Sequence, residues 1–344
     1  MSANNEPVAL SGTGHGLMGY VRDRLAYFTV PVLIALALLP IGSMPTWGTL
    51  TLAGLAMGLM IFIMASGLTL VFGLMDVLNF GHGAMISFGA FVGVSALVAL
   101  GPLYGAAGIE LNLVALLLGA LAAMVAAGVL GLVFERLIVR PVYGHHLKQI
   151  LITTGHLVVV EQLIIVIWGP NEIPIPRPES LKGAFIVGGV VLEKYRLLAV
   201  GLGLALFVAL RIILTRTKIG LLVRAGVENR EMVEALGYRI SVLFIGVFVV
   251  ASALGGLGGI MWGLYDEVIT AQMGMSVMIL VFITIIIGGL GSIEGCFVAA
   301  LLIGLTNNYV AYLAPKLSLG SAILLMVVVL MWRPNGLLQP SGSR

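Results

Sequence analysis

The 344-residue sequence contains one cysteine, Cys296, and only 10% charged residues. A lone thiol excludes an intrachain disulfide and most thiolate metal sites. The phosphate-cradling pattern G-x4-G-K-[ST] occurs nowhere, and neither does H-E-x-x-H or G-x-S-x-G. Nucleotide hydrolysis, zinc proteolysis and esterase chemistry therefore lack the residues they need. What the chain has in abundance is apolar material, 60% of its residues. That exceeds what a soluble core of this size can bury, so the composition defines an all-α polytopic membrane protein. The net charge of +3 follows from basic residues retained on the cytoplasmic side and is no sign of nucleic-acid binding.

Residues 1–21 are polar and Gly-rich and read as a disordered cytoplasmic tail. Arg22 and Arg24 then precede the apolar run Leu25 to Leu39, and no small-x-small cleavage site follows it. The start is thus an uncleaved signal anchor. The membrane domain covers 22–338, with a short tail at 339–344. Apolar runs of spanning length fall near 25–42, 50–73, 80–100, 112–134, 150–168, 197–214, 241–264, 274–290, 295–313 and 319–332. That makes about ten transmembrane helices. Some of them are broken or re-entrant, and both termini are cytoplasmic. In this topology 12 of the 18 Lys and Arg are cytoplasmic, Arg211 falls within the sixth run, and Arg177, Lys182, Lys194, Arg196 and Lys316 fall outside. Four of these sit in the loop 169–196, where Pro170, Pro174, Pro176 and Pro178 set a stiff, extended path. The loop is either a docking surface for an extracytoplasmic partner or a plain connector.

Polar residues at membrane depth are costly unless they face a cavity or each other. Asp76, Asn79 and His82 lie among glycines in Gly73 to Gly89, which suggests a discontinuous element lining a path. His82 admits two readings, a path residue or a structural histidine bonded to a neighbouring helix. Glu161, in the middle of the fifth run, contacts a solute or forms a structural pair with His82 or His156. Asn307 and Asn308 read equally as polar path residues or as interhelix glue. Small residues at Gly119, Ala122, Ala126 and Gly131, and at Gly255, Gly256, Gly258 and Gly259, mark close helix contacts. Phe72-Gly73-Leu74-Met75-Asp76 faintly echoes Trp262-Gly263-Leu264-Tyr265-Asp266, too short a match to define a repeat alone. Gly288, Gly289, Gly291 and Gly295, with Ser292, let backbones approach and a loop bend, which suits a hinge at a gate. Gly81 and Gly83 are assigned the same role.

The longest charged segment, Leu214 to Ile240, lies between two spanning runs and so faces water. Glu228 to Leu236 has the pattern of a short amphipathic helix stopped by Gly237, with too little apolar surface to fold alone. It is either a surface linker or a docked element. Its residues Arg224, Ala225, Asn229, Ala235 and Gly237, spaced R-A-x3-N-x5-A-x-G, resemble the coupling loop of bacterial ABC importer permeases. The closest resemblance is to the branched-chain amino acid permease family. Asn79-Phe80-Gly81-His82-Gly83 is similar to that family's N-F-A-H-G, with Gly81 where Ala is usual, and Ile287 to Gly295 is similar to its G-G-x-G-S-x-x-G.

The resemblance runs from about Leu52 to Leu337 and implies a non-catalytic permease subunit of the inner membrane, working with two ATP-binding subunits. It further implies a second homologous permease, a periplasmic solute-binding protein and surrounding lipid; ATP is bound by partners and this chain needs no cofactor. It implies coupling through Arg224, Glu228, Asn229, Glu234, Ala235 and Gly237. The translocation path would carry branched-chain amino acids, other small amino acids, or amides and urea. The rival reading is a stand-alone carrier or channel using Asp76, His82 and Glu161 as an ion site.

Overall fold

The computed structural model describes residues 18–75, 77–228 and 230–338. Most of the N-terminal tail, Asp76, Asn229 and the tail beyond Leu338 lie outside the described residues. So do the side chains of 18–25, Arg224, Val227, Glu228, Arg230 and Glu231. In lipid every backbone N–H and C=O must find a partner inside its own segment, so apolar runs become helices. The order is α1 (Met18–Ile41), α2 (Met44–Met75), α3 (His82–Ala99), α4 (Gly101–Tyr104), α5 (Ile109–Phe134) and α6 (His146–Trp168). There follow α7 (Lys194–Arg216), α8 (Lys218–Glu228), α9 (Arg230–Ala235), α10 (Ile240–Asp266), α11 (Met273–Gly288), α12 (Ile293–Leu313) and α13 (Pro315–Trp332). Eight of these are long and apolar enough to cross a membrane. Two shorter apolar stretches, Ala26–Ile41 and Met273–Gly288, match the first and eighth expected runs.

α2 and α10 form the centre of the bundle and run antiparallel. Gly67 of α2 meets the Ala251 carbonyl, and Met64, one turn earlier, meets Gly258 further along α10. A Cβ on Gly67 would lie 2.5 Å from that carbonyl oxygen. α12 packs on α2 in the same manner, since a Cβ on Gly58 would lie 2.6 Å from the Ala300 oxygen. Lipid tails are as apolar as leucine, so close approach of small residues does the work that hydrophobicity does in water. On α5 the buried stripe is Asn112, Ala115, Gly119, Ala123 and Ala127, and Ala123 and Ala127 meet Gly256. The sequence reading placed this contact one residue early, at Ala122 and Ala126. The three-to-four spacing of the real stripe begins at Asn112, whose amide was not expected to be inside.

The echo falls at corresponding places. It ends α2 at Met75 and α10 at Asp266, with Asp76 itself outside the described residues. After each, the chain leaves the helix, and a new helix begins within the bundle at His82 and at Met273. The two starts touch, for a Cβ on Gly83 would lie 3.0 Å from the Gly274 oxygen. Because α2 and α10 are antiparallel, these two helix–break–helix units are inverted relative to each other, an arrangement common in transporters.

At one end of the bundle, the proline-rich loop is not extended throughout. Its first half adds β1 (Ile173–Pro174) to β4 (Val268–Ile269), and its second half folds into a hairpin of β2 (Ala184–Val187) and β3 (Val190–Glu193). The prolines stiffen only the first half. Gly188 and Gly189, with φ of 57° and 84°, supply the two left-handed positions of a tight hairpin turn. Arg177 fastens this end: its guanidinium donates to the Leu264 and Tyr265 carbonyls at 3.0 and 2.7 Å and pairs with Glu193 and Glu267. It thereby closes the last turn of α10, where carbonyls lack helical partners. Asn112 performs a similar task for the loop after α4, donating to the Leu103, Tyr104 and Ala106 carbonyls and accepting from Ser180. Tyr104 donates to the Pro176 carbonyl, and burial, then the Glu267 carboxylate, raise its phenol above the ordinary value.

Candidate functional site

The break at residues 77–81 carries the first group of expected site residues. Asn79 is 1% exposed, yet neither its Oδ1 nor its Nδ2 finds a partner. Each such orphan costs about 1–3 kcal/mol if left dry. Its backbone oxygen accepts from the His82 N–H at 3.2 Å, starting α3, and Phe80 N–H donates to Thr153 Oγ1 at 3.2 Å, tying the break to α6. Gly81 has an ordinary helical φ of −66°, so its missing methyl gives room and not conformational freedom. A Cβ there would lie 3.1 Å from Asn79 Oδ1, His156 Cδ2 and Phe134 Cε1 alike. Alanine at this position would press on all three.

His82 is enclosed between the glycines of α2 and α10. It is 0% exposed, its Nε2 lies 2.9 Å from the Met64 carbonyl, and Nδ1 is unpaired. This is the geometry of the structural reading, a histidine bonded to a neighbouring helix. Gly83 serves the contact with α11. Glu161 pairs with neither candidate: His82 is engaged with α2, and His156 stacks on Phe134 with ring centroids 3.7 Å apart. Glu161 stands half-buried on α6 without a hydrogen bond or ion pair among the described residues. Asp76 lies outside the described residues. The structure thus joins Asn79, Gly81 and His156, and leaves Glu161 apart.

Sequence reasoning passed over the elbow between α5 and α6. Glu135, which reads as one more charge in a water-facing loop, is 1% exposed and accepts from the Tyr143 hydroxyl at 2.7 Å. Gln149, also 1% exposed, donates from Nε2 to the Val142 carbonyl at 3.3 Å. A signal existed: Gln149, Thr153 and His156 recur at helical spacing on one face of an apolar run. Asn307 and Asn308 do act as glue, reaching the Ser318 carbonyl of α13 and Met57 Sδ of α2.

The charged segment forms two helices, α8 and α9, where one from Glu228 to Leu236 was expected. Gly237 ends the second as predicted, with φ of 87°. Gly237 N–H donates to the Glu234 oxygen and Tyr238 N–H to the Val233 oxygen, a pairing that closes a helix end when a left-handed residue follows. Val233 is buried with Ile240 and Phe244 of α10, so the inner face docks on the chain itself. The outer face presents Met232, Ala235, Leu236 and Tyr238 with Glu234, and Leu236 is 71% exposed. Beside it a depression of about 500 Å³ is lined by Arg136, Arg140, Glu234, Tyr238, Arg239 and the first turns of α10. Arg224 and Glu228 lie in α8 with their side chains outside the described residues, as does Asn229 entirely.

The glycine-rich loop is held on three sides. A Cβ on Gly288 would lie 2.6 Å from the Cys296 nitrogen, and one on Gly73 would lie 2.6 Å from Gly291. Leu337 and Leu338 N–H groups donate to the Ile287 and Gly288 oxygens. Gly289 and Gly291 take φ of 99° and 82°, Ser292 caps α12 by accepting from Gly295 N–H, and a side chain on Gly295 would overlap Gly288. No group of three His, Cys, Asp or Glu among the described residues could hold a metal ion.

Inverted, broken helices at the centre and an exposed helix pair at one end define a multi-pass membrane protein built for transport. The chain belongs to the family described as branched-chain amino acid transport system / permease component, which matches residues 50–332. It is 25% identical over 292 residues to the high-affinity branched-chain amino acid transport system permease protein BraD of Pseudomonas aeruginosa, covering 83% of this chain and 93% of that one. It is also 25% identical over 293 residues to the LivH permease protein of Escherichia coli, with the same coverage. A probable LivH permease of Methanocaldococcus jannaschii is 22% identical over 291 residues, covering 81% and 88%. No solved structure matches.

Proposed function

We propose that this chain is the membrane-spanning permease subunit of an ATP-driven importer of branched-chain amino acids, set in the bacterial inner membrane. The observation that carries the reading is the α8–α9 pair. It is anchored by Val233, capped at Gly237 and open on its outer face, with Met232, Leu236 and Tyr238 exposed. Apolar side chains on a water-facing helix call for a protein partner. Here the partner is one of two ATP-binding subunits, and Glu234, Ala235, Gly237 and the α8 residues Arg224 and Glu228 are the elements it moves, with Asn229 between the helices. This end is then cytoplasmic, in keeping with the basic residues Arg136, Arg140, Lys148, Arg216, Lys218 and Arg239 gathered there. The hairpin end faces a periplasmic solute-binding protein.

The second permease subunit completes the path, since Glu161 and its neighbour Gln162 would otherwise meet lipid on α6 at a cost of about 2.5 kcal/mol or more for the charge. Asn79 lies on the path, Gly81 and Gly83 shape its break, and the Gly288 to Gly295 loop transmits movement from α11 to α12. ATP hydrolysis is left to the partners. The test is uptake into proteoliposomes by the co-isolated assembly. Leucine uptake should require ATP and fall at least tenfold in Gly237→Pro, while the variant still inserts. Uptake by this chain alone, driven by a pH gradient without an ATPase, would establish the stand-alone carrier instead.

A further inference from the structure

Five buried polar atoms near the α5–α6 elbow lack partners: Asn79 Oδ1 and Nδ2, His156 Nε2, Gln149 Oε1 and Glu135 Oε2. They lie beside a run of bonds that passes through both backbone and side chains. Phe80 N–H donates to Thr153 Oγ1, Thr153 to the Gln149 carbonyl at 2.7 Å, Gln149 Nε2 to the Val142 carbonyl, and the Tyr143 hydroxyl to Glu135 Oε1. The result is a polar track from the break in the bundle to the end that carries α8 and α9. Native interiors leave few polar groups unpaired, so a run of them marks a place made for a guest.

The chemistry of the guest follows from what is missing. Gln149 has its NH2 fixed on a carbonyl, which leaves its oxygen free, and Glu135 has one oxygen held and one free. With Asn79 Oδ1, three oxygen acceptors await donors, against one free NH2 and the His156 Nε2. Glu135 also has no cationic partner among the described residues, although Arg136 follows it in sequence. A buried carboxylate requires a compensating charge. A primary ammonium group supplies three donors and that charge, whereas an anionic guest would be repelled.

We infer that the elbow is an ammonium-accepting station on the solute's route to the cytoplasm, with Glu135 and Gln149 as its binding residues and Asn79 at its entrance. Tyr143 positions the Glu135 carboxylate, and Thr153 positions the break. The assignment rests on the transporter reading and names the group by which the solute is held.

Labelling tests it without transport. Inside-out vesicles carry the full chain with Gln149→Cys in a Cys296→Ser background, and are treated with an aminoethyl thiosulfonate or its sulfonatoethyl counterpart. Each rate is divided by that reagent's rate with a free thiol. The ammonium reagent should be favoured by about tenfold or more, as a near, uncompensated charge requires. Adding Glu135→Gln should bring the ratio close to one. Thr153→Cys, one turn along, gives the same readout should Gln149→Cys not insert. In the co-isolated assembly, Glu135→Gln should also lower leucine uptake several-fold while ATP hydrolysis persists. Cysteines inert with and without nucleotide, a ratio that ignores Glu135→Gln, or unchanged uptake would each overturn the assignment. None of these outcomes touches the ATP dependence of the parent assembly, on which the transporter reading stands.

Discussion

The two breaks in the bundle are related by inversion, yet only one of them leaves a buried side chain unpaired. In the break after α10, Ile175 N–H donates to the Glu267 oxygen, the Ser87 hydroxyl donates to the Ala271 oxygen at 3.0 Å, and Gly274 N–H donates to Ser87 at 2.8 Å. Arg177 closes the helix end before it. In the break after α2, Asn79 is as deeply enclosed and has no side-chain bond at all. On the proposed transport reading, the satisfied break is scaffold and its open counterpart is held for something that comes and goes. Polar groups kept unpaired inside a stable fold point to function because stability alone would remove them.

Substitutions can break this contrast from the scaffold side. Gly274→Val should have the largest effect, since even a Cβ there overlaps the Gly83 carbonyl. Overpacking of backbone on backbone costs about 3 kcal/mol or more, and little folded protein should survive extraction into mild detergent. Arg177→Met should come next. It strips two carbonyls and Glu267 of their partner and leaves Glu193 with Arg196 alone, a loss of about 3 kcal/mol for a charged donor. The melting temperature of the detergent-solubilised chain should fall, with uptake per folded assembly little changed. Ser87→Ala should cost about 1–2 kcal/mol by leaving the Ala271 oxygen and Gly274 N–H unpaired, again visible in melting and hardly in uptake. If either of the last two abolished uptake without lowering stability, the two breaks would share a role and the contrast would fail.

Much of this was legible in the sequence, for physical reasons that can be named. Spanning helices follow from long apolar runs, and the stop at Gly237 from the one residue that takes a left-handed φ without strain. The glycine-rich contact at Gly288 and Gly295 was readable because a missing side chain is visible in a sequence. The hairpin at 184–193 was missed although Gly188-Gly189 between β-branched residues is a strong turn signal, because the nearby prolines dominated the reading. The elbow was hidden for a different reason. Glu135 and Gln149 are buried only because the chain turns at Pro141 and packs back on itself, a tertiary event that local polarity argues against. Arg177 was counted as a loop charge, and nothing within the loop reveals that its partners are carbonyls at the end of α10, 87 and 88 residues away. Of the expected path residues, Asn79 stands out in the sequence by its setting among glycines. Its tie to α6 came only with the fold.

The account is tested most directly by Asn79→Leu, with melting temperature and ATP-driven leucine uptake per folded assembly measured on the same preparation. Replacing an amide that has no partner removes a burial penalty and loses no side-chain bond. The melting temperature should therefore hold or rise while uptake is lost. A variant that melts well below the parent, yet transports normally per folded assembly, would show Asn79 to be part of the scaffold and contradict the account.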